Sequence, residues 1–237
     1  MSTDIPFTKN NIEYYLNELA KEFKKRGHRA NAEMVLVGGA SVILNYDFRP
    51  VSLDIDAFYE AQSIMKECIN VVGDKFGLQQ GWVNDDFKKT ASFTPKIIQY
   101  SEYYKTFANV LQVRTVKAEY LLAMKLVSAR QYKKDLSDIA GILYEQRLAE
   151  KPLTYEQIDT AVCNLYGDWH LISDYSKKLL TELLATDDLE SKFIELSEDE
   201  KLAKETIIEI NAKYPEVVTQ DNVNDVIAAA RRRKRER

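Results

Sequence analysis

A chain of 237 residues with 45% hydrophobic and 30% charged residues, five prolines and eight glycines has the composition of a folded globular protein and excludes disordered and collagen-like classes. Its 33 basic and 37 acidic residues leave a formal net charge of -4, which predicts no general attraction to nucleic acid or an anionic membrane. Cys68 and Cys163 are too few for a disulfide framework, the first ten residues lack a basic segment followed by an apolar run, and no apolar stretch reaches membrane-spanning length, so a cytoplasmic protein with no membrane partner is expected.

In chain order, Ile12, Tyr15, Leu16, Leu19 and Phe23 recur at spacings of three and four, predicting an amphipathic helix over residues 10–27 that stops at Gly27. Met34 to Val37 is a short apolar run against Gly38-Gly39 and reads as a buried strand entering a tight turn. Ala40 to Tyr46 then reads as a helix, and Leu53 to Phe58 resumes the period of two of a strand. A helix follows over 61–76, then irregular chain over 77–90, where Trp82 is expected to pack the loop, or else to stack on a base. Residues 97–100 and 109–115 are strand candidates.

From Lys117 onward the periodicity is helical, with segments at 116–131, 133–147, 155–166, 173–185, 198–212 and 221–231. Ser197 and Glu200 have capping-box spacing, and the acidic stretch from Asp187 to Glu200 reads mainly as solvated surface. This pattern divides the chain into an α/β head over 1–116, a helical region over 117–230 and a basic tail over 231–237. The tail is six-sevenths basic and suits a solvated helix end, or a contact with nucleic acid or a partner.

The chemistry-bearing residues lie early. Asp54 and Asp56, placed i and i+2 on a strand, share a face, and two adjacent carboxylates suit a hard divalent cation that completes its shell with substrate phosphates. Gly38 and Gly39 permit close backbone approach, and a helix beginning at Ala40 offers N–H groups to a phosphate, with the Ser41 hydroxyl beside them. The third glycine of a dinucleotide fingerprint is absent, as is the Gly-Lys-Ser/Thr ending of a P-loop. His28 and His170 lack partners at zinc-ligand spacing, and no serine sits in a nucleophile elbow. On pattern alone, a tight turn beside a surface acidic pair remains the other reading.

The run Leu36-Val-Gly-Gly-Ala-Ser-Val-Ile-Leu-Asn-Tyr-Asp-Phe-Arg-Pro-Val-Ser-Leu-Asp-Ile-Asp56, followed by Leu121 and Lys125 and then by Lys134-Asp135-Leu-Ser-Asp138, resembles the nucleotidyltransferase superfamily. It looks closest to uncharacterised nucleotidyltransferase-like proteins and to the toxins of abortive-infection toxin–antitoxin systems. The resemblance covers roughly residues 34–145 and implies an α+β fold, a mixed sheet flanked by helices with a helical C-terminal half. It implies an enzyme that moves a nucleoside monophosphate from a nucleoside triphosphate to a hydroxyl of a protein, an RNA or a small molecule, with Mg²⁺ or Mn²⁺ as the metal and a cognate toxin–antitoxin protein as a partner. Asp54 and Asp56 would hold the metal; Gly38, Gly39 and Ser41 would contact the phosphates; Arg49 would contact a phosphate or fix the loop before the acid pair; Lys125 would neutralise phosphate charge.

One departure stands out. Many active relatives carry a third carboxylate on a later strand, whereas Asn109 to Thr115 has no acid and offers Gln112 and Arg114 instead. Either Asp135 or Asp138 completes the catalytic set, as the toxin-like relatives suggest, or the chain is a catalytically degenerate nucleotide-binding or protein-interaction module. Asp135 and Asp138 also suit salt bridges to Arg130 or Lys134, and Lys125 also suits a snorkelling position at the core edge.

Overall fold

The computed structural model describes residues 5–26, 32–60, 62–219 and 222–235. The expected stop at Gly27, His28 and the last two tail residues lie outside that set. The architecture is α+β. A five-stranded mixed sheet takes its strands from the first half of the chain, and the second half is almost entirely helical. The chain forms two compact units, residues 1–124 with 156–169 and residues 125–155 with 170–237.

In the first unit, helix α1 (Lys9–Lys25) opens on a reciprocal cap. Thr8 accepts the Asn11 N–H while the Asn11 side chain accepts the Thr8 N–H at 2.7 Å. These bonds satisfy two of the donors that a helix start leaves without intrahelical partners. The helix buries Ile12, Leu16, Leu19 and Phe23 on one face. Strand β1 (Ala32–Leu36), helix α2 (Gly38–Asn45), strand β2 (Ile55–Tyr59) and helix α3 (Gln62–Phe76) follow, then β3 (Val83–Asn84), β4 (Ser101–Phe107) and β5 (Leu111–Val116). The sheet order is β3-β2-β1-β5-β4, with β1 antiparallel to β2 and parallel to β5. Met34, Leu36, Ile55, Ala57, Tyr59, Leu111 and Val113 join the buried faces of α1 and α3 in one core. The alternating positions, Val35, Asp56, Phe58 and Arg114, therefore share the opposite face of the sheet.

Several stretches differ from the sequence pattern. Residues 97–100, expected as a strand, belong to a 3-10 turn, Pro95–Tyr100. Pro95 presets the helical φ at its first position, and Thr94 Oγ1 accepts the Lys96 N–H at 3.4 Å. The strand lies just beyond, at β4, where only Ser101 and Phe107 are buried, so this edge strand carries no apolar alternation to reveal it. The irregular stretch over 77–90 contains β3 and a 3-10 turn, Asp86–Lys89. Trp82 is 1% exposed within it, stacks on Phe7 at 6.0 Å and donates its indole N–H to Ile69 O at 2.9 Å. It packs the core, and the base-stacking alternative falls because no ring face is open.

Helix α4 (Ala118–Ser128) is followed by α5 (Asp135–Leu148), α6 (Tyr155–Tyr166), α7 (Asp174–Ala185), α8 (Leu189–Lys213) and α9 (Val223–Arg235). In the second unit α8 begins nine residues earlier than its expected start at 198, capped by Asp188, whose carboxylate accepts the Ser191 N–H at 3.0 Å. Ser197 and Glu200 thus lie inside the helix and form no capping box. The acids from Asp187 to Asp199 are exposed, as the reading of this stretch as mainly solvated surface expects, and Glu200, 4% exposed, is the exception. Val223 and Ile227 of α9 pack on Ala203 of α8. Among the described residues no helix is long and apolar enough to cross a membrane.

Candidate functional site

The first unit builds the glycine turn from the end of β1. Val37 is extended and gives its N–H to Asp56 O at 2.9 Å, then the chain turns directly into α2. Gly38 makes the turn with φ +55°, a left-handed conformation that side chains with a Cβ resist. Space imposes the same choice, since a Cβ at Gly38 would lie 3.0 Å from Asp56 Oδ2. The Asp56 carboxylate and the opening of α2 are therefore immediate neighbours. Val37 supplies no side-chain cap, and the first-turn N–H groups have no intrahelical acceptors. Gly39 is pressed from the other side: a Cβ there would lie 2.6 Å from Arg49 Nη2 and 2.7 Å from Ser52 Oγ. The guanidinium thus rests against the turn itself, with Nε donating to Val51 O at 3.4 Å. Ser52 is in turn fixed by paired backbone hydrogen bonds with Phe7, at 2.7 and 2.9 Å.

Ser41, expected to donate to a phosphate, is wholly buried, and its Oγ accepts the Val116 N–H at 3.2 Å. Its hydroxyl pins the first turn of α2 to the end of β5. Asp56 lies within β2, half-buried, whereas Asp54 is exposed in the bend one residue ahead of the strand. Leu53, where the alternation of a strand is expected to begin, lies ahead of β2 and is 53% exposed. The acid pair therefore sits where chain enters sheet, and only Asp56 has the strict strand alternation.

Strand β5 carries no acid. Arg114, two strands from Phe58 through Val35, donates to Ser101 Oγ at 2.8 Å and Ser101 O at 2.6 Å, and lies 3.8 Å from Glu33. Among the described residues no three His, Cys, Asp or Glu side chains converge as a metal-binding set. Two carboxylates fit Mg²⁺ or Mn²⁺ only in the manner in which such ions take their remaining ligands from phosphates and water.

The second unit gathers the downstream motif. Lys125 Nζ lies 2.8 Å from Asp135 Oδ1 and 2.7 Å from Asp138 Oδ2. Arg130 adds its Nε at 2.7 Å and its backbone N–H at 3.2 Å to Asp135 Oδ2. Lys125, Asp135 and Asp138 are all buried. Burial pushes the Asp135 carboxyl up, but Lys125 and then Arg130 outweigh it and hold the group well below the usual carboxylate range. The spacing of three on α5 does bring both carboxylates to one place, and the Arg130 salt bridge anticipated as an alternative is present.

Sequence reasoning placed Glu200 in a local capping box and missed its burial against α5. Its Oε1 accepts the Leu136 N–H at 2.7 Å and its Oε2 accepts the Ser137 hydroxyl, so a carboxylate from the middle of α8 caps the start of α5. Burial pushes this carboxyl up to about 7, against the opposing pull of Ser137 and the Leu136 N–H, with Asp138 adding to the rise. No local signal in the sequence marks the contact, because its partners lie 63 and 64 positions away.

A family model described as a nucleotidyltransferase of unknown function (DUF6036) matches residues 14–153. The chain belongs to this family. The match takes in the glycine turn, the acid pair and the Lys125–Asp135–Asp138 cluster, so both gathered sets fall inside the family's shared region. The mixed sheet, with its glycine turn and acid-bearing strand, is accordingly a nucleotidyltransferase-like fold. No curated protein and no solved structure matches the chain.

Proposed function

We propose that the chain is a metal-dependent nucleotidyltransferase that moves a nucleoside monophosphate from a nucleoside triphosphate to a hydroxyl of a protein, an RNA or a small molecule. The observation that carries this reading is the apposition of Asp56 to Gly38, whose missing Cβ lets a carboxylate and a helix start share one small space. Anionic phosphates favour the N-terminal end of a helix, and a carboxylate beside it would repel them unless a cation intervened. Asp54 and Asp56 would hold Mg²⁺ or Mn²⁺, which when bound polarises a phosphoryl group and lowers the pKa of an attacking hydroxyl.

The protein's own groups have distinct tasks in this reading. Gly38 and Gly39 present backbone N–H groups to the phosphates, Arg49 supplies positive charge from beside Gly39, and Ser41 keeps α2 in register by holding Val116. Lys125, Asp135 and Asp138 form the downstream half of the motif, and the Leu121–Lys125 and Lys134–Asp138 pattern supports a link to abortive-infection toxins and a cognate protein partner.

A second reading has its own support. With β5 free of acid, and Asp135 and Asp138 both occupied by Lys125, a binding module that has lost transfer chemistry is the alternative. Labelled nucleoside triphosphates, each with Mg²⁺ or Mn²⁺ and cell extract, separate the two. Transfer is expected with the wild-type protein and not with Asp54→Ala or Asp56→Ala. Nucleotide binding without labelling of any acceptor would favour the binding module, and neither binding nor transfer with any of the four triphosphates would remove both.

A further inference from the structure

Beyond the glycine turn, the Asp56 side of the sheet is bordered by β3 and the short turn that follows it. Asn84 pairs in parallel register with Asp56, so the two side chains stand on one face. Asn84 Oδ1 then accepts the Asp86 N–H at 2.9 Å, and its amide donates to Gly81 O at 3.2 Å. These two bonds fix the 3-10 turn Asp86–Lys89 against the edge of β2. The turn delivers Lys88, whose Nζ lies 5.0 Å from the centre of the Phe58 ring. Phe58 is two residues beyond Asp56 on the same strand and face, a separation of about 7 Å. Asp85 Oδ2 steadies the ammonium at 2.9 Å, and a quarter of the side chain is open.

Charge balance gives this lysine a task. A triphosphate carries more negative charge than one divalent ion neutralises, and Asp54 and Asp56 add two further negative charges. Lys125 and Arg130 are matched charge for charge by the buried Asp135 and Asp138. Among the described residues Lys88 is paired with Asp85 at 2.9 Å, and 26% of its side chain is open against 8% for Lys125, so its ammonium, with three donors, stays accessible.

We propose that Lys88 is a nucleotide-binding residue, presenting its ammonium from over Phe58, two residues beyond Asp56, to a phosphate oxygen of the bound triphosphate. This rests on the reading of Asp54 and Asp56 as the metal-holding pair. Asp85 orients the lysine, Phe58 supports it through its ring face, and Asn84 sets the height of the turn from which it reaches.

Calorimetric titration with non-hydrolysable analogues of the four triphosphates in Mg²⁺ tests the assignment, using wild type, Lys88→Met, Lys88→Arg and Asp56→Asn. Methionine keeps an apolar chain over Phe58 while removing the charge, so melting without nucleotide should be unchanged. Loss of one charge-assisted phosphate contact is expected to weaken binding by about tenfold or more, with arginine recovering most of it. Lys88→Met binding as tightly as wild type, while Asp56→Asn does not bind, would overturn the role of Lys88 and leave the acid pair standing. Absence of binding by the wild-type protein would overturn both.

Discussion

The Lys125 ammonium lies 2.7 Å from the Asp138 carboxylate, with 8% and 2% of the two side chains exposed. A pair this dry is costly to assemble and far more costly to break, because removing one partner leaves the other charged and buried. Lys125→Met is expected to lower stability by about 3–5 kcal/mol in urea unfolding. Converting Asp135 and Asp138 to Asn in the same background should restore much of that loss. If Lys125→Met unfolds within about 1 kcal/mol of wild type, the cluster is not the structural centre of its unit.

Two buried carboxyls give opposite pH signatures. Asp135 is held below its unfolded value, so its stabilisation is present above about pH 4 and is lost on acidification toward its folded value. Glu200 is raised from an ordinary 4.5 to about 7, so its favourable contribution is complete below the unfolded value and disappears as pH rises through 7. Wild-type stability should therefore decline between pH 5 and pH 8, by up to about 3 kcal/mol from Glu200 alone. Glu200→Gln retains an acceptor for the Leu136 N–H and should flatten that decline; an unchanged slope in parallel urea titrations would count against it. Asp135→Asn should instead flatten the acid limb.

Gly39 and Arg49 are coupled by contact, since a Cβ at Gly39 would meet Nη2 at 2.6 Å. The tip of an arginine can yield, and the Ser52 hydroxyl, at 2.7 Å, must rotate aside with it. Gly39→Ala should therefore fold at some cost while displacing the guanidinium and weakening nucleotide binding. In an Arg49→Ala background the same substitution should cost less, with a coupling of about 1 kcal/mol in a double-mutant cycle read by calorimetry. Strict additivity would show that Arg49 does not act through the turn.

Trp82 provides a test of the core that needs no ligand. In a Trp169→Phe variant its fluorescence should resist acrylamide and stay unchanged on addition of nucleotide, because the ring is 1% exposed. Trp82→Ala should destabilise by about 3–5 kcal/mol through the cavity left against Phe7 and Tyr15. Quenching of Trp82 by nucleotide would restore the base-stacking role excluded by its burial.

Metal and nucleotide should act together on melting. Ligands that bind only the folded chain raise the midpoint by mass action, so Mg²⁺ with a triphosphate should raise it by more than the sum of either alone. Asp54→Ala and Asp56→Ala should fold and lose most of that excess, since Asp54 is exposed and Asp56 half-buried. Equal shifts in wild type and both variants would reduce the acid pair to ordinary surface.

The sequence by itself determined the strand, the glycine turn, the helix and the acid-bearing strand over residues 32–59, because each is written in neighbouring residues: an apolar run, glycines at a sharp turn, then alternation. It also determined that Asp135 and Asp138 share one face of α5, since helical spacing alone places them there. Tertiary structure decided what those groups meet. The burial of Ser41 depends on Val116, 75 positions on, and the capping of α5 depends on Glu200, 64 positions from Leu136. It likewise decided that Trp82 is core, that Leu53 is surface and that Lys88 stands over Phe58. Periodicity reports how a segment divides its polar and apolar faces, but a carboxylate's partner, its dryness and hence its charge state are properties of chain brought together from far apart.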